Sequence, residues 1–119
     1  MRYMLLIYSN GPGGDLDLAR RNYDGHRALM DEAAAKGVFI AAEPLAPVSS
    51  ATTVRLQDGK PMIIDGPFAE TKEQLAGYYI LDCKDVNEAV EWAKRIPTVC
   101  RGGEGGVEIR AMPGIPSRP

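Results

Sequence analysis

The chain carries a single histidine, two cysteines and no surplus of positive charge. Each shortage excludes a class of function. Lys and Arg number 14 against 16 Asp and Glu, a net charge of −2, which leaves no basic face for nucleic acid to recognise. The basic residues are also dispersed, Arg20, Arg21 and Arg27 in one segment and Lys94 and Arg95 in another, as on a solvated surface. Cys83 and Cys100 form no CxxC pair and have no histidine neighbour, so no metal is expected. Cys83 ends an apolar run and reads as a small core residue. No GxGxxG, P-loop or GxSxG string occurs, so phosphate-cofactor chemistry and serine hydrolysis lack support, and no cofactor is expected. Long apolar runs are missing too. Met4 to Tyr8 is far too short for a signal-peptide core or a membrane span, and a cytoplasmic protein without a membrane partner is expected.

What is present reads as one domain over residues 1–112 with a flexible tail at 113–119, "PGIPSRP" being too rich in Pro and Gly for regular structure. A chain of 119 residues buries roughly two-thirds of its unfolded surface, enough to fold without a metal or disulfide staple. Residues 2–8, "RYMLLIY", are continuously apolar and predict a strand buried on both faces. "SNGPGG" breaks it. A helix is predicted from Asp15 to Lys36, with Gly37 as its C-cap, and a second strand over 38–45, stopped by Pro44 and Pro47. Asp58-Gly59 between two β-rich runs predicts a hairpin of 52–57 and 61–65, because a type I′ turn needs positive φ at both central residues. Val54 and Leu56 lie on one side of its first arm and Thr53, Arg55 and Gln57 on the other, so one side is expected to be wet. A strand follows at 77–82. Asp85 then caps a second helix, with Glu88 three residues on in a capping-box pattern and Pro97 ending it. "RGGEGG" connects to a last alternating strand at 107–111.

The order β-α-β, hairpin, β-α-β is the split βαβ, ferredoxin-like arrangement with an inserted β-hairpin, an α+β fold. Both helices then cover one side of the sheet. The first strand, however, carries Tyr3, Leu5 and Ile7 on one side and Met4, Leu6 and Tyr8 on the other. A bare apolar sheet of that size is a liability, and the simplest cover is a second copy. A homodimer through sheet faces is the expectation.

Four stretches, "MRYMLLIY", "ATTVRLQDGK", "DGPFAETKEQLAGYYILD" and "AVEWAKRIP", together resemble the DGPF-domain branch of the YCII-related proteins from residue 1 to about 112. The resemblance implies a dimeric α+β barrel. It also implies an association with extracytoplasmic-function sigma factors, and, in the broader group, an enzyme with a His on the first helix paired to an Asp just after the second. His26 stands in the matching helix. Ile96-Pro97 stands where the Asp would be.

His26 belongs to a stripe of Ala19, Tyr23, His26, Met30 and Ala33 at helical spacing, directed toward the sheet. Its commoner role would be a core histidine bonded to Tyr23 or to backbone; its functional role would be a general base or ligand contact. Gly25, beside it, costs the helix about 1 kcal/mol relative to Ala and marks a possible close approach to another segment. Asp65 enters the Gly66-Pro67 turn, where it serves either an Asx-type bond to the turn or, with His26, catalysis. Phe68 would anchor the turn, and Glu70, Lys72 and Glu73 would line a ligand site. Carboxylates beside a cation can divide acid and base roles. Thr71 and Gln74 fit a capping box and suggest a helical turn there. Glu43 either ends its strand in water or faces the cleft of His26. Tyr78 and Tyr79 read as core or interface residues. Two functions remain open: a small-molecule enzyme or ligand-binding domain using His26 and the DGPF turn, or an interaction module tied to sigma-factor regulation.

Overall fold

A computed structural model describes residues 1–9, 16–97 and 105–117, with the backbone alone for 16–21. Asp15, most of the "SNGPGG" and "RGGEGG" connectors, Cys100 and the last two residues lie outside these, as do the side chains of Ala19, Arg20 and Arg21. The elements are β1 (Arg2–Ser9), α1 (Leu16–Ala35), β2 (Phe39–Pro44), β3 (Thr52–Gln57), β4 (Lys60–Asp65), β5 (Gln74–Asp82), α2 (Val86–Ala93) and β6 (Gly106–Met112). Four strands form an antiparallel sheet in the order β2-β5-β1-β6, and β3 with β4 forms a separate two-stranded sheet. This is the expected α+β, ferredoxin-like topology with its inserted hairpin.

Local signals account for the boundaries. Gly37 ends α1 at φ +74, a left-handed conformation that carries no steric cost only for glycine. Asp58 and Gly59 have φ 52 and 78, the two positive values the hairpin turn demands. The Asp85 side chain accepts a hydrogen bond from the Glu88 amide at 2.9 Å, capping α2. One expectation fails. No helical turn follows the DGPF segment. Instead β5 starts at Gln74, three residues earlier than the apolar pattern indicates, because Tyr8 and Ser9 of β1 pair with Leu75 and Gln74 across a bulge. The Thr71 hydroxyl, cast as a cap, donates to the Glu73 carbonyl.

The core lies between the sheet and the helices. Tyr3, Leu5 and Ile7 of β1 and Tyr79 and Leu81 of β5 meet Leu29 and Ala33 of α1 and Ala89, Trp92 and Ala93 of α2, with Cys83 and Ile96 beside them. Register puts Met4 opposite Ile80 and Leu6 opposite Tyr78, on the sheet's other side, where each is only half-buried. Apolar side chains thus lie on both sides of β1, but only one side is buried as expected, and among the described residues no helix covers the second.

The hairpin stands off from this body. Neither β3 nor β4 packs extensively against any element but the other. The chain measures 51 × 48 × 19 Å with a radius of gyration of 16.4 Å, against about 13–14 Å for a compact domain of its length. Its depth of 19 Å is about that of one helix layer on one sheet, so the hairpin extends alongside the body as an arm and is not folded over either face.

Candidate functional site

His26 is half-buried under α1 and meets a residue the sequence reading placed in the core. The Tyr79 hydroxyl lies 2.7 Å from His26 Nδ1, with the ring centroids 5.7 Å apart and tilted by 33°. Tyr79 sits in β5 opposite Leu5 of β1 and Ala42 of β2, so its phenol rises from the covered side of the sheet toward the helix. Burial pushes that phenol up to about 12, which keeps its proton on at neutral pH. The same hydroxyl is 3.5 Å from the His26 carbonyl. It therefore serves two arrangements. In one the phenol donates to Nδ1 and the imidazole carries its hydrogen on Nε2. In the other Nδ1–H donates to the phenol oxygen and the phenol turns toward the carbonyl.

The stripe of α1 differs from the one read at the sequence level. Tyr23 is 58% exposed, whereas Leu29 and Ala33 are buried, so the inward line runs through Asn22, His26, Leu29 and Ala33. Asn22 Oδ1 is buried with no hydrogen-bond partner among the described residues, one helical turn before His26. A buried acceptor left open carries a desolvation cost of about 1–3 kcal/mol. Gly25 has its close approach: a Cβ there would sit 2.9 Å from Pro97 Cγ, so the segment after α2 lies directly against the His26 turn.

The remaining candidates are elsewhere. Glu43 pairs with Tyr78, the neighbour of Tyr79, and so points to the side of the sheet opposite His26. Asp65 ends β4 and is exposed, as are Phe68, Glu70, Lys72 and Glu73. The turn they form is fastened to the arm: the Gly66 amide donates to the Ala51 carbonyl at 2.7 Å, the Thr53 hydroxyl donates to the Gly66 carbonyl at 2.7 Å, and the Arg55 guanidinium stacks 4.8 Å over the Phe68 ring. Nothing places these residues with His26. Tyr79 and Asn22 were missed, though strand parity (Tyr79 shares its side with Gly77 and Leu81) and the i, i+4 step from Asn22 to His26 both signal them.

An open groove of about 800 Å³ also lies away from His26. It is lined by Lys36, Lys84, Glu88, Trp92, Lys94 and Arg95 among others. Its cations are largely engaged: Lys94 with Glu91 at 2.9 Å, Arg95 with Glu32, and Lys36 with Glu32 at 3.6 Å. The Arg95 hydrogen bond holds the Glu32 carboxyl below its usual range. Lys36 and Arg95 both lie over the Trp92 ring, at 5.6 and 5.1 Å. Among the described residues no cluster of His, Cys, Asp or Glu could hold a metal, and no helix is long and apolar enough to cross a membrane.

Comparison with known proteins adds three findings. The model of the YCII-related domain matches residues 1–113. An uncharacterised protein of Rhizobium meliloti (strain 1021) is 31% identical over 118 residues, covering 94% of this chain and 92% of that one. A solved structure of 5-chloro-2-hydroxyhydroquinone dehydrochlorinase from Burkholderia phenoliruptrix AC1100, in complex with 2,5-dihydroxybenzoquinone, superposes with a TM-score of 0.51 at 15% identity, over 94% of this chain and 93% of that one. At that identity the likeness is one of fold.

Proposed function

The chain belongs to the YCII-related domain family, and we propose that it is a small-molecule enzyme or ligand-binding domain whose working group is His26 held by Tyr79. The observation that carries this reading is the 2.7 Å contact between the buried phenol and Nδ1. It orients the ring and sets its tautomer, as a general acid–base group requires. The open acceptor at Asn22 supports it, since a ligand hydroxyl or amine would satisfy that atom. One solved structure of similar fold is a dehydrochlorinase bound to a dihydroxybenzoquinone, which makes hydroxylated rings the first class to screen.

The string Asp65 to Glu73, "DGPFAETKE", supports placing the chain in the DGPF branch. Within this proposal, Asp65 assists catalysis and Phe68, Glu70, Lys72 and Glu73 contribute to binding only in an assembly that brings another copy's turn to the site, and Glu43, on the opposite side of the sheet, takes no part. Two copies pair through the bare sheet side of Met4, Leu6, Tyr78 and Ile80. A cytoplasmic setting goes with the free thiol of Cys83.

A thermal-shift screen of hydroxylated aromatics tests the reading. A ligand should raise the melting temperature of the wild type and lose that effect in His26→Ala, with Tyr79→Phe intermediate and both variants folded. If the variants melt earlier yet respond to the ligand as the wild type does, His26 is structural. A second reading, an interaction module for an extracytoplasmic-function sigma factor, draws on the exposed arm. Co-purification of such a factor, lost when Val54 and Ile63 become Lys, would support it.

A further inference from the structure

Position 22 is poorly filled if stability alone is considered. It lies inside α1, which runs from Leu16 to Ala35, where Asn is among the poorer helix formers because its amide competes with the backbone. It also stands on the inward line, one turn before His26, and its Oδ1 is buried with no hydrogen-bond partner among the described residues. A buried acceptor left open destabilises the fold a second time. A leucine here would favour the helix and leave no polar atom dry. The residue as a whole is half-buried and is not part of the core cluster that holds Leu29 and Ala33, so the oxygen lies just beneath the surface. The turn that carries it is held in place. Gly25 lies so close to Pro97 that a Cβ would stand 2.9 Å from Cγ, and the Tyr79 hydroxyl is 2.7 Å from His26 Nδ1. Two local rules broken at one pinned position, beside the proposed site, mark a functional residue.

We infer that Asn22 selects the ligand of this site: its Oδ1 accepts a hydrogen bond from a hydroxyl or amine on the ligand, one helical turn from the group that His26 addresses. This rests on the reading of His26 proposed above and deepens it. Folding has already stripped the acceptor of water, so a ligand donor meets an oxygen that has no solvent to give up. A ligand with an ether or a bare C–H at that place leaves the oxygen as dry as before and gains nothing from it. A carboxylate or phosphate is rejected there, because it would set acceptor against acceptor. Residues 22 and 26 are about 5–6 Å apart at their Cβ atoms, so the two ligand groups stand well apart on its frame and not on neighbouring atoms. The class is therefore a ring or short chain with two separated polar groups, of which the one at Asn22 carries a hydrogen. Asn22 sets specificity and takes no part in proton transfer.

The test is titration calorimetry on the full chain, under nitrogen, with hydroquinone and with 4-methoxyphenol, in which an ether replaces one hydroxyl. The wild type should bind hydroquinone about tenfold more tightly, the scale of one hydrogen bond to a dry acceptor. Asn22→Leu should bring the two probes to nearly equal affinity. Without ligand it should melt no lower than the wild type, since it removes an open polar atom from a helix interior. His26→Ala should lose both probes. If the wild type binds the two probes equally while His26→Ala loses both, the inference about Asn22 fails and the reading of His26 stands. If Asn22→Leu keeps the preference for hydroquinone, another group selects the ligand and the inference fails again. A wild type that binds neither probe also overturns it. Unchanged binding of both probes by His26→Ala overturns the reading of His26 and, with it, the placement of the ligand along α1.

Discussion

The four-stranded body and the two-stranded arm are built from similar material, short antiparallel strands rich in Leu, Ile and Val, and they end in opposite states. Leu5 in β1 is 0% exposed; Leu56 in β3 is 76% exposed. The difference lies in what each strand is given to pack against. In the body, α1 and α2 close one side of the sheet and bury a continuous cluster from Tyr3 to Ile96. In the arm, the pairing of β3 with β4 satisfies backbone hydrogen bonds but leaves both sides of the ribbon to find their own cover. The body therefore folds on its own contacts, and the arm keeps surface in reserve.

The sharpest way to break the comparison is to delete the same atoms from both regions. Leu5→Ala empties a closed site and should cost about 2–5 kcal/mol. Leu56→Ala, on dilute monomer, should stay within about 0.5 kcal/mol. Urea unfolding below the concentration at which the chain associates measures both. Similar losses in the two variants would mean that the arm is packed on the body after all.

Next in size is Gly25→Ala. Helix propensity alone makes it stabilising by about 1 kcal/mol. The added Cβ would stand 2.9 Å from Pro97 Cγ, and overpacking of that kind costs about 1–3 kcal/mol. The clash should win, and Pro97→Ala in the same chain should restore most of the loss, because it removes the atom in the way. A stabilised single variant would show that the segment after α2 yields easily.

Much of this body was legible in the sequence because its signals are local. The continuous apolar run of β1, the Asp58-Gly59 turn of the arm and the Asp85 cap each follow from residues a few positions apart. The site was less legible because its partners are distant. His26 meets Tyr79 across 53 residues, and nothing in the spacing of either announces the other. The early start of β5 was hidden because Gln74 and Leu75 become strand only by pairing with the end of β1. The arm's exposure was misjudged in a different way. One wet side was expected, yet the apolar side of Val54 and Leu56 proves the more open, since alternation tells which residues share a side and not whether anything covers it.

Smaller still, and confined to the arm, is Gly59→Ala. Gly59 has φ +78 with open space around it, so the cost is conformational, about 1–2 kcal/mol for a side chain in the left-handed region. Because the arm shares so little with the body, this should appear as faster amide exchange over 52–65 in dilute protein, with the body's melting temperature unchanged. A matching drop in global stability would mean the two regions fold as one unit.

The last effect is absent at neutral pH and emerges only in alkali, where it concerns the body alone. Burial raises Tyr79 from 10.0 to about 12, and burial first, then Glu88, raises Cys83 from 9.0 to about 11. Both groups are neutral when protonated, and both hold their protons more tightly folded than unfolded. Their contribution is therefore whole at neutral pH, well below the ordinary thiol value of 9.0, begins to fall as the unfolded thiol ionises, and is lost as pH climbs toward 12. Tyr79→Phe with Cys83→Ala should flatten the fall in body stability over that range, while exchange-corrected protection of the arm, which holds neither group, stays the same function of pH in both proteins. Parallel alkaline decline in the double variant would mean that the phenol beside His26 is not held out of water as the fold places it, and the proton-carrying role of that pair would go with it.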